Sequence, residues 1–150
     1  MRQLIDSLDR QFAEIQRTSS DFISALSTEL LYARAVGGSD DSCGEQILRS
    51  AAVIEQSFGG LTANLWDDPW EWTLPETLDS PARVLEYLGE VEDLRHRAFR
   101  AFVEDSDLSK EIMTPGGRTG ILPFLLDTLN RARHHQQRAF KAFAGLTTDH

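Results

Sequence analysis

The chain has one cysteine, Cys43, in 150 residues, which excludes an internal disulfide framework and any zinc site built from several thiolates. It lacks a run of about 18 apolar residues, so no bilayer span is expected. Its start, MRQLIDSLDRQF, interrupts the apolar residues with acids, so no signal peptide is expected either, and the expected location is the cytoplasm. Basic residues are in deficit: 15 Lys and Arg against 24 Asp and Glu give a formal charge of −9. A phosphate-binding face would have to be built against that field, so nucleic acid is not an expected partner. Strand-like alternation of apolar and polar residues is also missing.

What is present is an ordinary globular composition, 41% hydrophobic and 26% charged, on a chain long enough for one domain to bury roughly two-thirds of its extended surface. From Leu4 the apolar residues recur as Leu8, Phe12, Ile15, Phe22, Leu26 and Leu30, a helical spacing that predicts one helix over about 3–36, fading at Gly37-Gly38. Ser42 and Glu45 form a capping-box pattern, opening a helix over about 43–65 with the stripe Ile47, Ala51, Ile54, Phe58, Leu61 and Leu65. Gly59-Gly60 in it weakens the last turns or admits a neighbouring backbone.

The stretch WDDPWEWTLPETLDSP has no period and reads as a loop. Ser80-Pro81 then starts a third helix over about 81–104, with Val84, Leu88, Val91, Ala98, Phe99 and Phe102 inward. LSKEIMTPGGRTG reads as a turn. Thr119 is the expected cap of a last helix over about 119–144, which repeats Leu122, Leu125, Leu129, Ala132, Gln136, Phe140 and Phe143 and tolerates Pro123 near its start. The prediction is an all-α four-helix bundle of one domain. The long link between the second and third helices allows them to run parallel, an up-down-down-up arrangement.

Chemistry concentrates in few places. Cys43 falls in the first turn of a helix, where a thiol pKa can be lowered, but a free cysteine more commonly just packs. Trp66, Trp70 and Trp72 suit a lid over a ligand, a dimer contact or a plug on the end of the core. The stretch NRARHHQQ, residues 130–137, sets two histidines side by side within a helix.

A long first helix, a second opening as S-x-G-E, a Trp-rich crossover and a last helix carrying R-x-R-H-H-Q-Q together resemble the DinB-like superfamily of four-helix bundles. The resemblance spans nearly the whole chain. It implies a homodimer and a divalent metal held by one histidine of the second helix and two of the fourth, four residues apart on one face. Aligned with that pattern, the second-helix position is Arg49, and the fourth-helix positions are Arg131 and His135, next to His134. Arginine stays protonated and offers no lone pair, so the triad is degenerate and no cofactor is expected. Zinc or nickel would need a rearranged site drawing on His96 or Glu45.

If the old crevice persists, Arg49, Arg131, His134 and His135 make it a cationic pocket for a carboxylate or phosphate. That holds only if the two guanidinium groups lie near one another and are not each tied to a surface acid; otherwise these are residues of a solvated face. The functional expectation is a non-catalytic, small-ligand-binding bundle. The alternative the resemblance implies is a metal-dependent thiol transferase or hydrolase-type enzyme, in which the metal lowers a thiol's pKa.

Overall fold

The computed structural model describes residues 1–36, 41–71 and 73–147. Helix α1, Gln3–Ser24, buries Ile5, Leu8, Phe12, Ile15 and Ile23, the stripe expected from the spacing. Its first turn has no side-chain cap of its own. Instead the amides of Leu4 and Ile5 each donate to the carboxylate of Asp105 at 3.0 Å.

The first helix stops twelve residues short of the predicted end. Ser24 turns its hydroxyl back to the carbonyl of Ser20, and the side chain of Ser27 accepts from the amide of Leu30 to cap a new short helix, α2, Thr28–Leu31. An N-cap of this kind satisfies a free amide only by starting a helix afresh. In the new helix Leu31 is fully buried while Leu30 is exposed. The Gly37-Gly38 ending lies outside the described residues.

Helix α3, Cys43–Ala63, begins with the complete capping box of Ser42 and Glu45 and ends at Asn64 in the left-handed conformation, φ 56°. There the amides of Asn64 and Leu65 bond the carbonyls of Gly60 and Gly59, closing the helix end. Gly44 is required by close approach, since a Cβ there would lie 2.4 Å from the Leu31 carbonyl oxygen. Helix α4, Pro81–Arg100, starts on the Ser80 cap and ends before the predicted 104.

Between α4 and the last helix the chain departs from the sequence expectation. After a 3-10 turn at Asp105–Ser109 come two strands, β1 Glu111–Thr114 and β2 Gly117–Gly120. They pair antiparallel, with Ile112 opposite Thr119 and Met113 opposite Arg118. Gly117 holds φ at 117°, a backbone open to glycine and few others. Strands of four residues are too short to show alternation. Thr119 is therefore a strand residue rather than a helix cap, and α5, Ile121–Thr147, follows directly.

The four long helices form a bundle in which α1 and α3 each pack against both α4 and α5. Directions follow from the pairs. Arg2 bonds the Phe102 carbonyl and Arg95 the Asp9 carboxylate, so α1 and α4 are antiparallel. Gln136 bonds the Ile15 carbonyl and Phe22 meets Phe140 and Phe143, so α1 and α5 are parallel. Ser50 meets Ala132 and Ser57 meets Thr128, so α3 and α5 are antiparallel. The topology is up-down-down-up with α3 and α4 parallel. At its centre Phe12, Phe58 and Phe99 pack mutually, ring centroids 5.2 to 6.0 Å apart. No helix among the described residues is long and apolar enough to cross a membrane.

Candidate functional site

Helices α3 and α5 approach closely because small side chains face each other. Ser50 donates to the Ala132 carbonyl at 2.7 Å, and Ser57 and Thr128 share a hydrogen bond of 2.7 Å. That contact brings Arg49 of α3 to the same crevice as Arg131 and His135 of α5. The crevice is about 140 Å³ and is completed by Gln56 and by Asp68 and Trp70 of the crossover. Asp68 accepts from the Trp70 amide at 3.0 Å, which fixes the turn that presents the indole.

Each side chain of the crevice is already engaged. Arg49 holds Asp41 through Nε at 2.6 Å and lies over the Trp70 ring, 4.0 Å from its centroid. Arg131 pairs with Asp127 at 3.8 Å, both exposed. His135 shares a hydrogen bond of 2.8 Å between Nδ1 and Gln46 Oε1. Gln46 turns its Nε2 to Asp41, so Oε1 accepts and Nδ1 carries the proton, leaving Nε2 as the basic nitrogen of a neutral ring. Burial, and then the positive charges of His134, Arg49, Arg138 and Arg131, hold the imidazole pKa below its ordinary value.

No family model and no curated protein matches the chain. Among solved structures it is similar to a provisional member of the DinB family from Exiguobacterium sibiricum 255-15, with a TM-score of 0.70 and 18% identity over 100% of this chain and 96% of that chain. The fold is the DinB-like bundle.

The donor set of this crevice does not fit a metal: His135 is a single imidazole, and Arg49 and Arg131 have no lone pair to give. Among the described residues no three His, Cys, Asp or Glu side chains come together as a metal site. His96, on α4, is half exposed beside Glu92 and Arg95. Glu45 is used in the α3 capping box and in a 2.8 Å pair with Arg34. Neither forms, with His135, a group of three metal-ligating side chains among the described residues.

Two features of the expected cationic pocket need correction. Its arginines do share one crevice, but each is tied to an acid, and Asp68 adds a third carboxylate to the surroundings, so the charge is largely compensated. His134 is not in the crevice. It is exposed and lines a separate cavity of about 530 Å³ with Arg34, Arg138 and Lys141, because adjacent helical residues point about 100° apart.

The tryptophans separate as well. Trp66 packs edge-on against Phe124 at 5.7 Å, lies against Gly60 and donates from Nε1 to Asn64 at 2.8 Å, which makes it a plug beside the end of α3. Trp70 is a wall of the crevice. Trp72 lies outside the described residues. Cys43 is fully buried, and that burial raises its thiol pKa rather than letting the helix start lower it. Sequence reasoning missed Asp41, Gln46 and Gln56. Gln46, one turn before Arg49 on α3, was a readable signal.

Proposed function

We propose that the chain is a metal-free binding protein whose α3–α5 crevice takes a small anion, a carboxylate or phosphate. Both arginines hold an acid, against the expectation of untied guanidinium groups, so the reading rests on the convergence of Arg49, Arg131 and His135 on one crevice together with the looseness of the Arg131 pair. Asp127 competes only weakly for Arg131, since an exposed pair at 3.8 Å is worth about 0–1 kcal/mol, and an incoming anion can displace it. Arg49 is preset by Asp41 and Trp70, so little order has to be imposed on binding. The basic Nε2 of His135 takes a proton when an anion arrives, which couples binding to acid. Catalysis is not part of the reading: the one thiol is buried, and the described residues hold no ligand set for a metal that would activate a thiol. The family resemblance adds a homodimer, which light scattering tests.

Calorimetric titration of untagged protein with inorganic phosphate and with acetate, alongside elemental analysis, tests this. Saturable binding of one of the two is expected, weakened about tenfold in Arg131→Ala by loss of a charge-assisted bond. Stoichiometric zinc or nickel that disappears in His135→Ala, or failure of both anions to saturate, would overturn it.

A further inference from the structure

On its α4 side, α3 borders a larger cavity, about 570 Å³, with Gly59, Leu65 and Leu94 among its walls and Glu55, Glu90 and Arg97 in its polar lining; Arg97 forms no ion pair with either glutamate among the described residues. An adjoining cavity of about 270 Å³ shares both glutamates and continues to Thr73 and Tyr87. The join of the two therefore carries one carboxylate from each of two parallel helices.

Three observations make that join incomplete. Glu55 is half-buried, and among the described residues neither it nor Glu90 has a salt-bridge partner; Arg83, nearby, pairs with Asp79 at 3.4 Å. Burial pushes the Glu55 carboxyl pKa up, the neighbouring Tyr87 hydroxyl partly offsets this, and the charge of Glu90 adds to the rise. Tyr87 is 5% exposed, and its buried hydroxyl lies beside Glu55 and Thr73 without reaching full hydrogen-bond geometry to either. A partly desolvated carboxylate with no ion-pair partner and a buried hydroxyl short of full hydrogen-bond geometry are both costly.

A metal does not answer this need, since the described residues hold no cluster of three ligating groups. An ammonium group does: it carries three donors, enough for Glu55 and Glu90 together. The apolar walls next to the carboxylates call for an apolar body on the same molecule, and the cavity is within the range of small-molecule sites. We infer that the α3–α4 groove binds a primary ammonium ion on an apolar body, with the ammonium at Glu55 and Glu90 and the body against Leu65 and Leu94.

Titration with phenethylammonium, followed by calorimetry and by NMR of the leucine methyls, tests the inference. Saturable binding is expected, with the methyl signals of Leu65 and Leu94 shifting. Affinity should fall about tenfold or more in Glu55→Gln and less in Glu90→Gln, where the side chain is exposed and the fold is safe from the change. The uncharged isostere 2-phenylethanol should bind at least about tenfold more weakly. Arg131→Ala, in the anion crevice, should leave phenethylammonium binding unaltered. Absence of saturation, equal binding of 2-phenylethanol, unchanged affinity in both glutamate variants, or loss of binding in Arg131→Ala would overturn the assignment.

Discussion

The guanidinium of Arg49 is clamped on two sides, its Cζ 4.0 Å from the centroid of the Trp70 ring and its Nε 2.6 Å from Asp41. The indole comes from the crossover and the carboxylate from the segment before α3, so the arginine ties both to the crevice wall. A cation over an indole contributes about 0.5–2 kcal/mol depending on exposure. Trp70→Ala should lower unfolding free energy by about 1–2 kcal/mol in denaturant titrations, and weaken phosphate or acetate binding several-fold. Arg49→Lys should weaken the anion similarly, because an ammonium can neither stack nor fork. Unchanged anion affinity in both variants would remove Arg49 from the site.

Arg95 is 2% exposed and donates to the carboxylate of Asp9, itself 38% exposed, and to the Asp9 carbonyl at 3.2 Å. Deleting the acid strands a buried cation, whereas replacing the cation by a hydrocarbon leaves an acid that can reach water. Asp9→Asn should cost about 1–3 kcal/mol, less than a fully buried pair because water reaches Asp9 and Glu92 remains as a partner. Arg95→Met should cost less than Asp9→Asn. The reverse order in chemical denaturation would show that Arg95 acts mainly through its packing.

His135 gives a pH dependence of definite sign. Its folded pKa lies below the ordinary 6.5, so the unfolded chain binds the proton more readily and stability falls as pH drops through 6.5 toward the depressed value. The loss is complete below that value. His135→Gln should flatten this part of the stability-pH curve. An NMR titration placing the His135 pKa above 6.5 in anion-free protein would contradict the burial argument.

A Cβ at Gly44 would meet the Leu31 carbonyl oxygen at 2.4 Å, and one at Gly60 would meet the Trp66 ring at 2.3 Å. Both alanine variants should destabilise by about 1–3 kcal/mol, as overpacking does. The Gly44 Cβ would also meet the Tyr32 ring at 2.7 Å, but its nearest clash is with backbone, whereas the nearest atoms at Gly60 all belong to the Trp66 side chain. Gly60→Ala combined with Trp66→Ala should therefore cost less than the sum of the two, while no side-chain truncation rescues Gly44→Ala. Strict additivity in the first pair would mean that the indole swings away freely.

The bundle was legible because its core is periodic: Phe12, Phe58 and Phe99 each sit on a stripe spaced for a helix. The break after Ser24 was not, because apolar spacing runs on through Leu26 and Leu30 across the end of α1; Ser27 followed by Thr28 was the overlooked cap. The hairpin hid in strands of four residues. At the site, Arg131 and His135, four residues apart on α5, both line the crevice. The pairing of Asp127 with Arg131, four residues apart, was readable from the same rule. Asp41, eight residues before Arg49 and outside the helix, was not, since its approach depends on how the chain enters α3.

The bond from Asp105 to the first amides of α1 spans a hundred residues of chain. During synthesis at about 5–20 residues per second, those amides have only water for roughly 5–20 s before their acceptor is made. The first helix can coil early, but its opening turn is finished by the end of α4, so the two halves of the bundle mature together. A nascent chain halted at Arg100 would therefore carry α1 frayed at its start, with protection of the Leu4 and Ile5 amides against hydrogen exchange arriving only once the Asp105 turn follows.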